Sequence, residues 1–142
     1  MYDSRIARII ELKERLMEDR ERELDRLLTL LVTIDSNIKS LEDDITLRYD
    51  QLCTKELKGN EFTCITDYVA FLKEEKERSL EERARVEAGL AAIRAELTEL
   101  LREIKILDKL RSKLVAREKK AANRKLQKLL DDMALRPEAL IQ

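Results

Sequence analysis

The chain of 142 residues contains no His and no Trp, and it has only two Gly, one Pro and two Cys. A sheet-based domain of this length needs many turns, which so few Gly and Pro residues do not supply. The absence of His removes the commonest general base and the commonest metal ligand. Aromatic residues make up 4% of the chain, less than a compact enzyme core usually contains. These absences argue against a compact enzyme.

The two cysteines, Cys53 and Cys64, are separated by ten residues and form no C-x-x-C pair. They are too few to complete a structural zinc site, and no His is present to assist. A disulfide between them is possible, but the charge-rich composition favours reduced thiols in a cytoplasmic protein. No signal peptide and no run of about 20 apolar residues is found. We expect a soluble cytosolic protein that has no metal, no cofactor and no membrane span.

Charged residues make up 42% of the chain and hydrophobic residues 44%, with a net charge of −1. This composition is typical of long helices and coiled coils. Two series of residues in alternating steps of three and four show the 3.5-residue period of a coiled coil. Each series is apolar at eight of its nine positions. The first is Leu24, Leu27, Leu31, Ile34, Ile38, Leu41, Ile45, Arg48 and Leu52. The second is Val86, Leu90, Ile93, Leu97, Leu100, Ile104, Leu107, Arg111 and Leu114. We call these series the seams, because such a repeat keeps one side of a helix against a partner helix.

The only central break is CTKELKGNEFTCITD, in which Gly59-Asn60 is a turn signal. The sequence therefore predicts an all-α fold, a two-helix antiparallel coiled-coil hairpin, with Thr66 or Asp67 capping the second helix. Leu31, Ile34, Leu97 and Leu100 are expected to face one another. The predicted bounds are a single domain over 1–136, helices over about 4–53 and 66–133, a loop over about 54–65 and a flexible tail over 137–142.

Charge is distributed unevenly along the second helix. Residues 105–128 contain ten Lys or Arg and two acidic residues, whereas residues 61–103 have a net charge of −4. A basic run of this kind is either a solvated face or a site for an acidic partner. Extending the antiparallel pairing places residue 10 near residue 111. The cations then expected beside one another at the open end of the hairpin are Arg5, Arg8, Lys13, Arg117, Lys120 and Arg124.

Apolar residues gather near the predicted turn. Tyr68, Phe71 and Leu72 are expected to be at most partly covered by two helices, so this cluster either closes the end of the coil or docks on a partner. No His-paired Ser or Cys and no phosphate-binding Gly loop is present. The function is therefore expected to be binding rather than catalysis.

The arrangement resembles a known family. The chain has a charged first helix and a segment of the form Y-x-x-L…G-x…Y-x-x-F-L, here Tyr49, Leu52, Gly59, Tyr68, Phe71 and Leu72. It ends in the basic run AREKKAANRKLQKLLDDMALRPE. These features resemble FliJ, the small coiled-coil component of the flagellar type III export apparatus. Glu75 departs from the pattern, since an apolar residue there would have extended the apolar patch.

The resemblance implies a non-enzymatic stalk similar to the central stalk of rotary ATPases. Its open end would insert into the hexameric export ATPase and promote its activity, with Arg5, Arg8, Arg117, Lys120 and Arg124 as contacts. The region near the turn would dock on the cytoplasmic domain of the export gate through Tyr68, Phe71 and Leu72. Export chaperones are further implied partners, and the implied location is cytoplasmic, peripheral at the inner face of the cell membrane.

Other functions are compatible with the same pattern. The stalk proteins of virulence-type secretion systems share the layout, and a fragment of a larger scaffolding or tethering coiled coil would have a similar composition. A basic coiled-coil nucleic-acid binder is disfavoured, because basic-zipper proteins have no Gly-Asn hairpin turn. The basic residues also have no aromatic residues among them to stack on bases.

Overall fold

The computed structural model describes residues 2–54 and 56–135, which form two long α-helices and no strand. Helix α1 is Tyr2–Thr54 and helix α2 is Gly59–Leu135. The two helices pack against each other in antiparallel fashion, which confirms the predicted fold class. Two compact units are distinguished: unit 1 consists of the described parts of Met1–Glu18 and Thr98–Gln142, and unit 2 is Asp19–Leu97. The predicted tail, 137–142, lies outside the described residues.

The core of unit 2 consists of seam residues from both helices. Ile34 and Ile38 of α1 are buried against Val86 and Leu90 of α2, and Ile34 is only 3% exposed. The partly buried residues that pack against this cluster are Leu24, Leu27, Leu28, Leu30 and Leu31. The heptad spacing read from the sequence therefore identifies the residues that face the partner helix.

The core of unit 1 is smaller. It consists of Ile6, Ile10 and Ile104, each 7–8% exposed. Met17, Leu107 and Leu114 pack against it and are partly buried. The seam thus continues almost to the start of α1, although charged residues interrupt it.

Those interruptions are compensated by ion pairs between the helices. In unit 1, Lys13 pairs with Glu103, and Arg111 Nε lies 2.8 Å from Asp3 Oδ1. In unit 2 the corresponding pairs are Arg20–Glu96, Lys76–Glu42 and Arg83–Asp35. All these side chains are partly exposed, so each pair contributes at most about 1 kcal/mol. All five pairs are compatible with one and the same register of the two helices.

The prediction that α2 begins near residue 66 is wrong. The helix begins at Gly59, and the Phe62 N–H already donates to the Lys58 carbonyl oxygen at 3.0 Å. Glu61 in the first turn is favourable at the positive end of the helix dipole. Thr66 is no cap, because its hydroxyl donates to the Phe62 carbonyl inside the helix. Gly59-Asn60 thus opens a helix and does not form the turn.

The expected contact of Leu31 and Ile34 with Leu97 and Leu100 is also wrong. Ile34 packs with Val86 and Leu90 of unit 2, whereas Leu100 belongs to unit 1. The helices are joined by the short segment 55–58 rather than by twelve residues. A short connection fixes which residues face each other, and pairs such as Asp35–Arg83 follow from it.

Candidate partner-binding surfaces

The last residue of α2 that packs against the core of unit 1 is Leu114. Helix α1 begins at Tyr2, and Asp3 already lies beside Arg111, so α1 provides no residues opposite the later part of α2. Residues 115–135 continue as helix and are exposed throughout. We call residues 115–135 the overhang.

The overhang is amphipathic. At 100° per residue five of its large apolar side chains share one side of the helix and are about half-exposed: Val115, Leu126, Leu129, Leu130 and Met133. Leu135, which is 80% exposed, falls on the opposite side. The opposite side carries the cations Arg117, Lys120 and Arg124. No described residue of α1 covers either side. An exposed apolar stripe of this kind marks a site for a partner.

The basic residues predicted to gather at one place are only partly brought together. Arg5 and Arg8 are exposed on α1. The Asp3–Arg111 and Lys13–Glu103 pairs place them across from residues near 109–112. Arg117, Lys120 and Arg124 therefore lie on the overhang, beyond the reach of α1, and the expectation that Arg5 and Arg8 stand beside them is wrong. The reason is the shorter connection, which shifts the pairing by about five residues.

Three ring and charge contacts organise the surface near the 55–58 connection. The Tyr68 ring stacks on Phe71 with centroids 6.4 Å apart, and the Arg48 guanidinium lies 5.2 Å from the Tyr68 ring centroid. The Tyr68 hydroxyl donates to Asp44 Oδ2 at 3.1 Å. These contacts hold the Tyr68 ring in place while Phe71 is left 53% exposed.

Leu72 does not belong to this surface. It is 3% exposed and occupies a seam position, as does Val69 one turn earlier. A partner that binds the outside of unit 2 does not reach Leu72. The register adds a residue that the sequence prediction missed, since Leu47 is 53% exposed and the Glu42–Lys76 pair sets it at the level of Phe71. Its exposure follows from its place off the seam.

The remaining chemistry of the described residues is sparse. Cys53 and Cys64 are free and exposed. Within residues 2–54 and 56–135, no cluster of His, Cys, Asp or Glu is suited to hold a metal ion. The same residues include no helix with the length and hydropathy of a membrane span.

Comparison with known proteins adds one match. A family model described as "Flagellar FliJ protein" matches residues 2–137 of the chain. Comparisons with curated proteins and with solved structures find no match.

Proposed function

Since the chain belongs to the flagellar FliJ protein family and is therefore a coiled-coil protein related to flagellar export, we propose that it is the stalk of the flagellar export ATPase. In this proposal the overhang enters the central pore of the hexameric ATPase and promotes ATP hydrolysis by the ring. The chain itself performs no catalysis and needs no cofactor. It works in the cytoplasm, peripherally at the inner face of the cell membrane.

The observation that carries the proposal is the unpaired overhang. A single helix is about 10–12 Å wide with its side chains, which suits a narrow pore better than two packed helices. The cations Arg117, Lys120 and Arg124 are all exposed there and suit a pore lined by carbonyl and carboxylate oxygens. Arg5 and Arg8, on α1, would contact the rim of the ring.

The test is ATP hydrolysis by the cognate export ATPase in the presence of the variant Arg117→Glu/Arg124→Glu. We expect stimulation to fall by about tenfold or more, and wild-type stimulation to weaken as salt rises. The matched control is Lys39→Glu/Arg85→Glu, which makes the same charge change at two exposed positions of unit 2. If the test variant and the control stimulate ATP hydrolysis equally at moderate salt, the proposed ATPase contact is ruled out.

We further propose that Tyr68 and Phe71, together with Leu47, dock on the cytoplasmic domain of the export gate, and that export chaperones are additional partners. The support is the exposed Phe71 beside a Tyr68 ring held by Arg48 and Asp44. Exposed aromatic residues of this kind are common hot spots of binding.

This second contact is tested by affinity measurement with the purified gate domain. Phe71→Ala is expected to weaken binding by about tenfold or more. Phe62→Ala is the matched control, because Phe62 has a nearly equal exposure of 52% and lies outside the aromatic pair. If both variants bind as wild type does, Phe71 serves only to cover the end of the coil.

A further inference from the structure

One side of unit 1 carries exposed aliphatic side chains from both helices. Their exposed fractions range from 42% to 59%. We call this set the lateral patch, and its members are Ile9, Leu12, Leu16, Ile106 and Leu110. The patch is separate from the overhang and from the core of unit 1.

The register of the helices places these residues on a common side. With the seam residues at heptad positions a and d, Ile9 and Leu16 are at g and Leu12 is at c. On α2, Leu110 is at g and Ile106 is at c. In an antiparallel pair each g position lies beside a g position of the other helix. The Asp3–Arg111 and Lys13–Glu103 pairs then set Ile9 across from Leu110 and Leu12 across from Ile106.

The opposite side of unit 1 differs in chemistry. There α1 presents Ala7 at position e and the acidic residues Glu11, Glu14 and Glu18. Apolar residues from both helices therefore meet on only one side of the pair. Such an asymmetry is more than the scattered exposure of single aliphatic residues on a surface.

The spacing of the patch indicates what kind of surface would cover it. Ile9, Leu12 and Leu16 follow one another in steps of three and four, which is the spacing of a coiled-coil seam. Leu110 follows Ile106 by four residues in the same manner. A groove between two helices that is lined at this spacing receives the side chains of a third helix.

The charged residues beside the patch indicate the sign of the charge that the third helix would carry. Arg5, Lys109 and Lys113 border it, and no ion pair involves any of the three within the described residues. The acidic residues on the same side, Glu99 and Glu103, are already in ion pairs with cations of unit 1. The uncompensated charge is therefore positive.

We propose that the lateral patch binds an acidic amphipathic α-helix of a partner protein. The apolar stripe of that helix packs between Ile9 and Leu110 and between Leu12 and Ile106, and its carboxylates lie near Arg5, Lys109 and Lys113. The overhang takes no part in this interaction, and Arg5 is the one residue that it shares with the proposed ATPase contacts.

The test uses the full chain and two labelled synthetic peptides about three heptads long. Both have Leu at positions a and d, one has Glu at the flanking positions and the other has Lys. Fluorescence anisotropy is expected to show that the Glu peptide binds and that the Lys peptide binds about tenfold more weakly or not at all. The variant Leu12→Glu/Ile106→Glu is expected to weaken binding of the Glu peptide by about tenfold or more.

The control variant is Val32→Glu/Leu80→Glu, which changes two exposed aliphatic residues of unit 2 in the same way and should bind as wild type does. Circular dichroism checks that both variants are helical. A second variant, Lys109→Glu/Lys113→Glu, alters no apolar residue and should weaken binding of the Glu peptide while strengthening binding of the Lys peptide.

Several results would overturn the proposal. One is equal binding of the Glu peptide to wild type and to the patch variant, and another is equal binding of both peptides to wild type. If sedimentation shows a wild-type dimer that the patch variant converts to a monomer, the occupant is a second copy of the chain. If only binding to phosphatidylglycerol vesicles is lost in the patch variant, the occupant is a membrane surface.

Discussion

The two units bury the residues beside their seams to different extents. In unit 2, Leu30 at position g is partly buried against the core, whereas in unit 1 Ile9 and Leu16 at the same position are exposed. Across from Leu30 the register places Gly89, which has no side chain and whose position lies close to Leu27. The missing side chain at Gly89 leaves room at this level for leucine side chains of α1, of which Leu27 lies nearest to it. Burial at a flanking position depends on the residue opposite as much as on its own hydrophobicity.

The largest expected effect comes from deleting core volume in each unit. Ile34→Ala removes a side chain that is 3% exposed from the wider cluster and should lower the free energy of unfolding by about 2–4 kcal/mol. Ile10→Ala, in the smaller cluster of unit 1, should cost about 1–2 kcal/mol, because less packing is lost. Urea unfolding followed by circular dichroism measures both. Equal losses would mean that the two cores are equally well packed.

A smaller effect of opposite sign is expected at Gly89. It has no positive φ, so a side chain causes no backbone strain, and a new Cβ would lie 3.4 Å from Leu27 Cδ1. Gly89→Ala should raise the free energy of unfolding by about 0.5–1 kcal/mol through its better helix propensity. Gly59→Ala is the control, since nothing lies within 4 Å of its Cβ and it stands at the helix start. A loss of stability in Gly89→Ala would show that Leu27 and Leu30 need the space.

The smallest effect concerns a g position that carries charge. A hydrogen bond from Arg26 lowers the pKa of the Glu23 carboxyl below its ordinary value of 4.5. Arg26→Gln should raise that pKa toward the ordinary value, as measured by carbon-13 NMR titration. Because the pKa of Glu23 is lowered in the folded state, the pair stabilises the folded state at pH values above the unfolded-state pKa. This stabilisation is lost as the pH falls through the folded-state pKa. An unchanged pKa in the variant would mean that the hydrogen bond is absent in solution.

Much of the fold could be predicted from hydrophobic spacing alone. Ile34, Ile38, Val86 and Leu90 are the buried core of unit 2, and all four belong to the two series read from the sequence. Lys13 and Arg20 continue the same spacing of three and four toward the start of α1, and both are partly buried. The period of the apolar residues is a local property of one helix, so it can be read from the sequence without knowing which residues of the other helix pack against it.

The pairing of the helices could not be predicted so well, because it depends on the length of the connection, and the sequence pattern predicts a connection that is too long. Gly59-Asn60 has the composition of a turn, although Ile65, Val69 and Leu72 continue the spacing of three and four toward it. That continuation was the available signal for an earlier helix start. The longer predicted connection pairs Arg5 and Arg8 with residues of α2 about five positions too far toward its end. The lateral patch also depends on the register, so it could not be predicted from the sequence pattern.

The overhang also has a consequence for how α2 opens. No described residue packs across from residues 115–135, so local terms such as helix propensity hold their backbone hydrogen bonds. The free energy needed to expose an amide should therefore decrease along one continuous helix, from Leu90 in a core to Met133 near its described end. Amide hydrogen exchange would record this as a gradient of protection. Any partner that orders the last turns would then add its stabilisation where the helix has least of its own.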